Sequence, residues 1–101
     1  MMNERGATKR SSRVIAISVG TTAAQIIGAS TQRVALVFSP PVSGSYTVST
    51  EPTVAIGGGM VLVAGGAFLT ITREQHGDAV EKPWSAIAGA AVAAGFVEVL
   101  E

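Results

Sequence analysis

Short apolar runs that alternate with polar residues, each closed by glycine, proline or small hydroxylic residues, fill this sequence almost from end to end. That rhythm restricts what the chain can fold into. An amphipathic helix needs apolar residues three and four apart, whereas a period of two places every second side chain on one face of a strand. The clearest case is Arg33–Phe38, where Val34, Leu36 and Phe38 share one face and Arg33, Ala35 and Val37 the other. Strands are expected at 14–19, 23–27, 33–38, 45–49, 60–64, 67–72, 84–88 and 96–100. Pro40 and Pro41 end the third of them, because proline cannot donate to a ladder. Gly65 and Gly66 read as a tight hairpin between 60–64 and 67–72, since both positions accept positive φ. The polar segment 73–82 reads as a surface loop. Helix competes only over the alanine-rich stretch 86–94, where the glycine and the short length weaken it.

Seven or eight short strands with turns between them imply an all-β chain, an antiparallel β-sandwich or a jelly-roll-like small barrel. Its expected core contains Val34, Leu36, Phe38, Leu62, Leu69, Ile71, Val97 and Val99. With 101 residues and five aromatic side chains, there is room for one domain with a thin core, which partner chains would help to stabilise. Charge divides the chain further. Arg5, Lys9, Arg10 and Arg13 against Glu4 give residues 1–13 a charge of +3, and residues 14–101 carry −3. Residues 1–13 therefore read as a flexible basic arm, with Arg5, Lys9, Arg10 and Arg13 as candidate contacts to an acidic protein surface, and 14–101 as a single β-sandwich domain.

The chemistry-bearing residues are sparse. There is no cysteine, which excludes disulfides, thiolate metal sites and thiol nucleophiles, and His76 is the single histidine. Glu74, His76 and Asp78 share a hydrated segment, but a metal needs three or four convergent ligands, so backbone-bonded turn residues are the better reading. Gly57–Gly59 and Gly65–Gly66 lack the Lys and hydroxyl residue of a phosphate loop. No serine has a recognisable base, so no catalytic residue, cofactor or metal is expected. Trp84 suits the sandwich interior better than an exposed stacking platform. The basic cluster 9–13 has no interleaved aromatics and the rest of the chain is acidic, which disfavours nucleic acid. Apolar stretches 54–69 and 86–97 are shorter than a bilayer span and broken by glycines, and no signal-peptide pattern is evident.

From residue 14 onward the sequence resembles a family of small phage structural proteins. The resemblance is carried by Gln32-Arg33-Val34-Ala35-Leu36-Val37-Phe38, the Gly-Gly turn before Leu69-Thr70-Ile71-Thr72, the segment Thr72 to Asp78 followed by Lys82-Pro83-Trp84, and the final Val97-Glu98-Val99-Leu100-Glu101. It departs from that pattern at Ser39-Pro40-Pro41, where Asn and a polar turn are usual. The resemblance implies a non-enzymatic virion protein, a head decoration or cement protein on the capsid surface, made in the host cytoplasm. Its implied partners are the major capsid protein and copies of itself, in a homo-oligomer such as a trimer. The alternative is a tail- or fibre-associated module that contacts host glycans.

Overall fold

The computed structural model describes residues 11–101. Eight strands run through them: β1 (Ser11–Val19), β2 (Ala24–Ile27), β3 (Arg33–Phe38), β4 (Ser45–Ser49), β5 (Met60–Val63), β6 (Leu69–Thr72), β7 (Trp84–Ile87) and β8 (Val92–Leu100). They form two four-stranded antiparallel sheets, ordered β1-β8-β3-β6 and β2-β7-β4-β5. β1 pairs with β8, β2 with β7, β3 with β6 and β4 with β5. The second half of the chain thus retraces the first, and successive pairs fall in alternate sheets. This is the winding of a jelly roll, and the all-β sandwich expected from the alternation is what forms.

Between the sheets lie Leu36, Phe38, Tyr46, Leu62, Ile71 and Trp84, each at most 3% exposed. Phe38 of one sheet meets Trp84 of the other at a ring-centroid distance of 5.5 Å, and Phe96 at 6.1 Å. The alanine-rich stretch is not helical: it ends β7, bends at Gly89 and Ala90 and enters β8 at Val92, which pairs residue by residue with β1 as far as Leu100, and this ladder outweighs alanine's helix preference. At the proline stop, Ser39 keeps the ladder closed. Its N–H donates to the Gly95 carbonyl at 2.9 Å and its Oγ accepts from the Gly95 N–H at 3.0 Å.

Three expectations are corrected. Gly65 does adopt φ +76, in a turn closed by the Gly66 N–H donating to the Val63 carbonyl at 2.9 Å. It is not a hairpin, however, because β5 and β6 belong to different sheets and the turn carries the chain across the sandwich. Glycines signal the turn, but the destination of the next strand depends on the sheet that needs it. Residues 73–82 are not a plain loop either: they form a helical turn, α1 (Arg73–His76), and a 3-10 turn (Gly77–Glu81). Thr72 caps α1 by accepting from the Gln75 N–H at 3.2 Å, and Thr-x-x-Gln is the sequence signature of that start.

The third correction concerns faces. On β8 the buried residues are Phe96 and Glu98, each 3% exposed, so Val97 and Val99 turn outward and are half-buried. A carboxylate in the inward row defeated the apolar reading of that strand. On β3 a register shift between Arg33 and Ala35 inserts one extra residue, which turns Arg33 inward beside Leu36 and leaves Val34 half-buried. Bulges re-aim side chains in this way. Leu69 is also only half-buried, at the start of an edge strand.

Tyr46 provides a test of the packing. It is 1% exposed and its hydroxyl donates to the Ser39 carbonyl at 2.7 Å. Burial pushes its phenol up from 10.0 to about 12. A raised phenol favours the fold below the unfolded value, and that contribution is lost as pH climbs from about 10 to about 12. Tyr46→Phe should cost about 0.5–1.5 kcal/mol at neutral pH. It should also flatten the alkaline side of the melting-temperature profile, which thermal melts at graded pH would show.

Candidate functional site

Among the described residues, the bulge in β3 sets up a buried charged centre of Arg33 and Glu98. Arg33 Nε donates to Glu98 Oε2 at 2.8 Å. Its Nη1 donates to the carbonyls of Val80 (2.9 Å) and Lys82 (3.2 Å), and its Nη2 to that of Gly28 (2.6 Å). Glu98 Oε1 accepts from Arg13 Nη2 at 2.6 Å and Nε at 3.2 Å. Side-chain exposures of 2% for Arg33 and 4% for Glu98 contrast with 63% for Arg13. Burial pushes the Glu98 carboxyl up, but the hydrogen bonds and charges of the two arginines outweigh it, and the group is held below the usual carboxylate range. Both carboxylate oxygens are engaged, so Glu98 has no lone acceptor aimed at a substrate. Chemically the cluster holds β1, β3, β8, the β2–β3 connection and the 3-10 turn together.

A second polar group surrounds Arg73. Its Nη2 donates to the carbonyls of Thr31 (3.0 Å) and Arg33 (2.9 Å), and it forms ion pairs with Glu81 at 3.3 Å and Glu101 at 3.5 Å. Beside it, His76 Nδ1 accepts from the Thr72 N–H at 3.2 Å, which commits that nitrogen to the start of α1. Glu74 and Asp78 are exposed, and among the described residues no three His, Asp or Glu side chains group to hold a metal. Trp84 is 3% exposed and its Nε1 donates to the Ala79 carbonyl at 3.0 Å. It belongs to the core.

The outer face of the first sheet mixes valine with small hydroxylic residues. Across the first sheet, Val14, Val97, Val37 and Thr70 align in one outward row, and Ser12, Val99, Ala35 and Thr72 in the next. Val14 is 82% exposed. A shallow depression at the end of this face is lined by Val34, Ala35, Thr72, Arg73, Val99 and Glu101. The second sheet is covered in part by the 50–59 connection, where the Gly57 N–H donates to Thr47 Oγ1 at 3.0 Å and Val54 is 5% exposed. A Cβ on Gly59 would run into the Val48 carbonyl oxygen, so this connection lies hard against β4. No helix among the described residues is long and apolar enough to cross a membrane.

Of the four basic residues singled out in the sequence, Arg5, Lys9 and Arg10 lie outside the described residues. Arg13 stands in β1, where it binds Glu98. Sequence reasoning missed Arg33 and Glu98. Their signal is that each is a lone charge inside an otherwise apolar strand, and that the two signs are opposite.

No protein-family description matches this sequence, and no curated protein matches it either. Among solved structures, the fold is similar to one described as Bacillus endospore appendages, a family of disulfide-linked pili. The TM-score is 0.51 at 14% identity, over 91% of this chain and 86% of that one. This corrects the resemblance to phage virion proteins, and with it the expected head-decoration or cement function, the glycan-binding tail alternative, the capsid partner and the virion location: the similarity that the fold carries is to a pilus subunit. The physical reason lies in the residues that carried the resemblance. Arg33, Leu36 and Phe38 are buried for the sandwich's own sake, Gly65 shapes a sheet-to-sheet turn, and Thr72 to Trp84 cap and close the core. Such features belong to a way of packing two sheets and carry no information about a particle.

Proposed function

We propose that this chain is a non-catalytic structural subunit that associates with copies of itself, in a surface appendage or comparable assembly. The observation that carries the reading is where its polar and apolar groups are spent. Arg33, Glu98, Arg73 and His76 are bound to the protein's own backbone and to one another, whereas Val14, Val61, Val63 and Phe68 are left outside. Val14 lies on the first sheet, Val61 and Val63 on the second and Phe68 just before β6, and apolar side chains left in solvent beside an internally paired Arg33–Glu98 centre suit contact with protein. Likeness to a pilus subunit supports it. That pilus family is described as disulfide-linked, and this chain has no cysteine, so its contacts would be non-covalent. The full chain should therefore form concentration-dependent oligomers in sedimentation experiments, unchanged by reductant. A monomer at every concentration would overturn the reading.

A further inference from the structure

The two sheets have four edges: β1 and β6 in the first, β2 and β5 in the second. An edge strand presents unpaired N–H and C=O groups, and proteins blunt such edges by shortness, bulges, prolines, charges or cover. Three edges here are blunted. β2, β5 and β6 have four residues each, β2 is interrupted between Gln25 and Ile27, and β6 runs directly into α1. β1 is different. It has nine residues, about 30 Å of strand, without glycine or proline, and its register with β8 is unbroken from Ser11 to Val19. Its one charge, Arg13, is turned onto Glu98, and among the described residues nothing pairs with its other side. Ile15 and Ile17, on its inward face, are only half-buried.

We propose that β1 pairs antiparallel with β1 of a second copy about a two-fold axis at Ile15. This names the contact behind the self-association proposed above and rests on that reading. Turned about Ile15, the run Ser11–Val19 nearly matches itself: Ser12 meets Ser18 of the second copy, Val14 meets Ala16, and Ile15 meets Ile15. Charge selects the direction. In the antiparallel pair Arg13 faces Ile17, and the two Arg13 residues stand four positions apart along the strand, about 13 Å, where exposed charges are largely screened at 0.1 M salt. A parallel pair would set them side by side. The result is a continuous eight-stranded sheet across two copies, its outward face carrying the valine row of both.

The absence of cysteine makes the register testable by cross-linking in the full chain. Val14 and Ala16 are both exposed on the outward face, and opposed residues of an antiparallel pair have Cα atoms about 4.5–5.5 Å apart, within disulfide range. Oxidising an equimolar mixture of Val14→Cys and Ala16→Cys should give the mixed disulfide dimer well beyond its statistical share. Val14→Lys, at a position already in solvent, should raise the dimer Kd at least about tenfold with unchanged circular dichroism. If the wild type associates but the disulfides form statistically and Val14→Lys leaves the Kd alone, the β1 contact is wrong while self-association stands. A wild type that stays monomeric in sedimentation overturns both.

Discussion

Replacing Glu98 by alanine is expected to destabilise the fold by about 3–5 kcal/mol, because it leaves a buried guanidinium without its counter-charge. Arg33 is 1% exposed, and the carbonyls of Gly28, Val80 and Lys82 satisfy its N–H groups without neutralising it. The pair need not favour the fold over an apolar core. Changing both partners together, Arg33→Met with Glu98→Leu, should therefore lose far less than Glu98→Ala alone, provided the new side chains fill the space. Arg13→Ala should stay within about 1 kcal/mol, since that side chain is 63% exposed and screened by water. Urea midpoints of the four proteins would rank them. Acid gives a second readout. The Glu98 carboxyl sits below its ordinary value of 4.5, so its contribution is complete above that value and fades as pH falls through the lower folded pKa. Glu98→Gln should flatten this part of the acid profile, and an unchanged profile would show that the carboxylate does not contribute as argued.

The all-β sandwich was legible in the sequence because strand formation is local, whereas its winding was not. Leu36, Phe38, Leu62 and Ile71 all fall where the period of two places them, and Pro40 closes β3 where it must. Legibility failed where a local signal has two structural outcomes. A glycine turn serves equally for a hairpin and for a crossing between sheets, as at Gly65. Alternation also assumes an unbroken register, so one inserted residue at Val34 moved Arg33 from the outer face to the interior. The Glu98 site was hidden for a related reason. Reading polar as outward assigns a lone carboxylate to solvent, and only the fold reveals that Arg33 and Arg13, 65 and 85 positions away in sequence, converge on it. Unpaired edges are likewise invisible until strand order is known: nothing in residues 11–19 by themselves says that one side of the strand lies open.

The other large effect is expected from Phe38→Ala, at about 3–5 kcal/mol. Phe38 is fully buried and stands between the sheets, with the Trp84 ring 5.5 Å away and inclined by 53°, and Phe96 at 6.1 Å. These rings are three of only five aromatic residues, so the centre of a core otherwise made of aliphatic side chains and Tyr46 depends on them. Collapse into the vacated space is obstructed. Trp84 is tied to the Ala79 carbonyl at 3.0 Å, and Phe96 is fixed opposite Phe38 by the β3–β8 register. The cavity should persist and add its own cost to the lost burial. For a domain of this size each kcal/mol moves the melting temperature by about 4–8 °C, so a fall of at least about 12 °C is expected. Phe68→Ala is the control, because Phe68 is 64% exposed and its loss should change stability by no more than about 0.5 kcal/mol in the monomer. If the two variants melt together, the sandwich closes over the gap and the aromatic contact between the sheets is not what fixes their spacing.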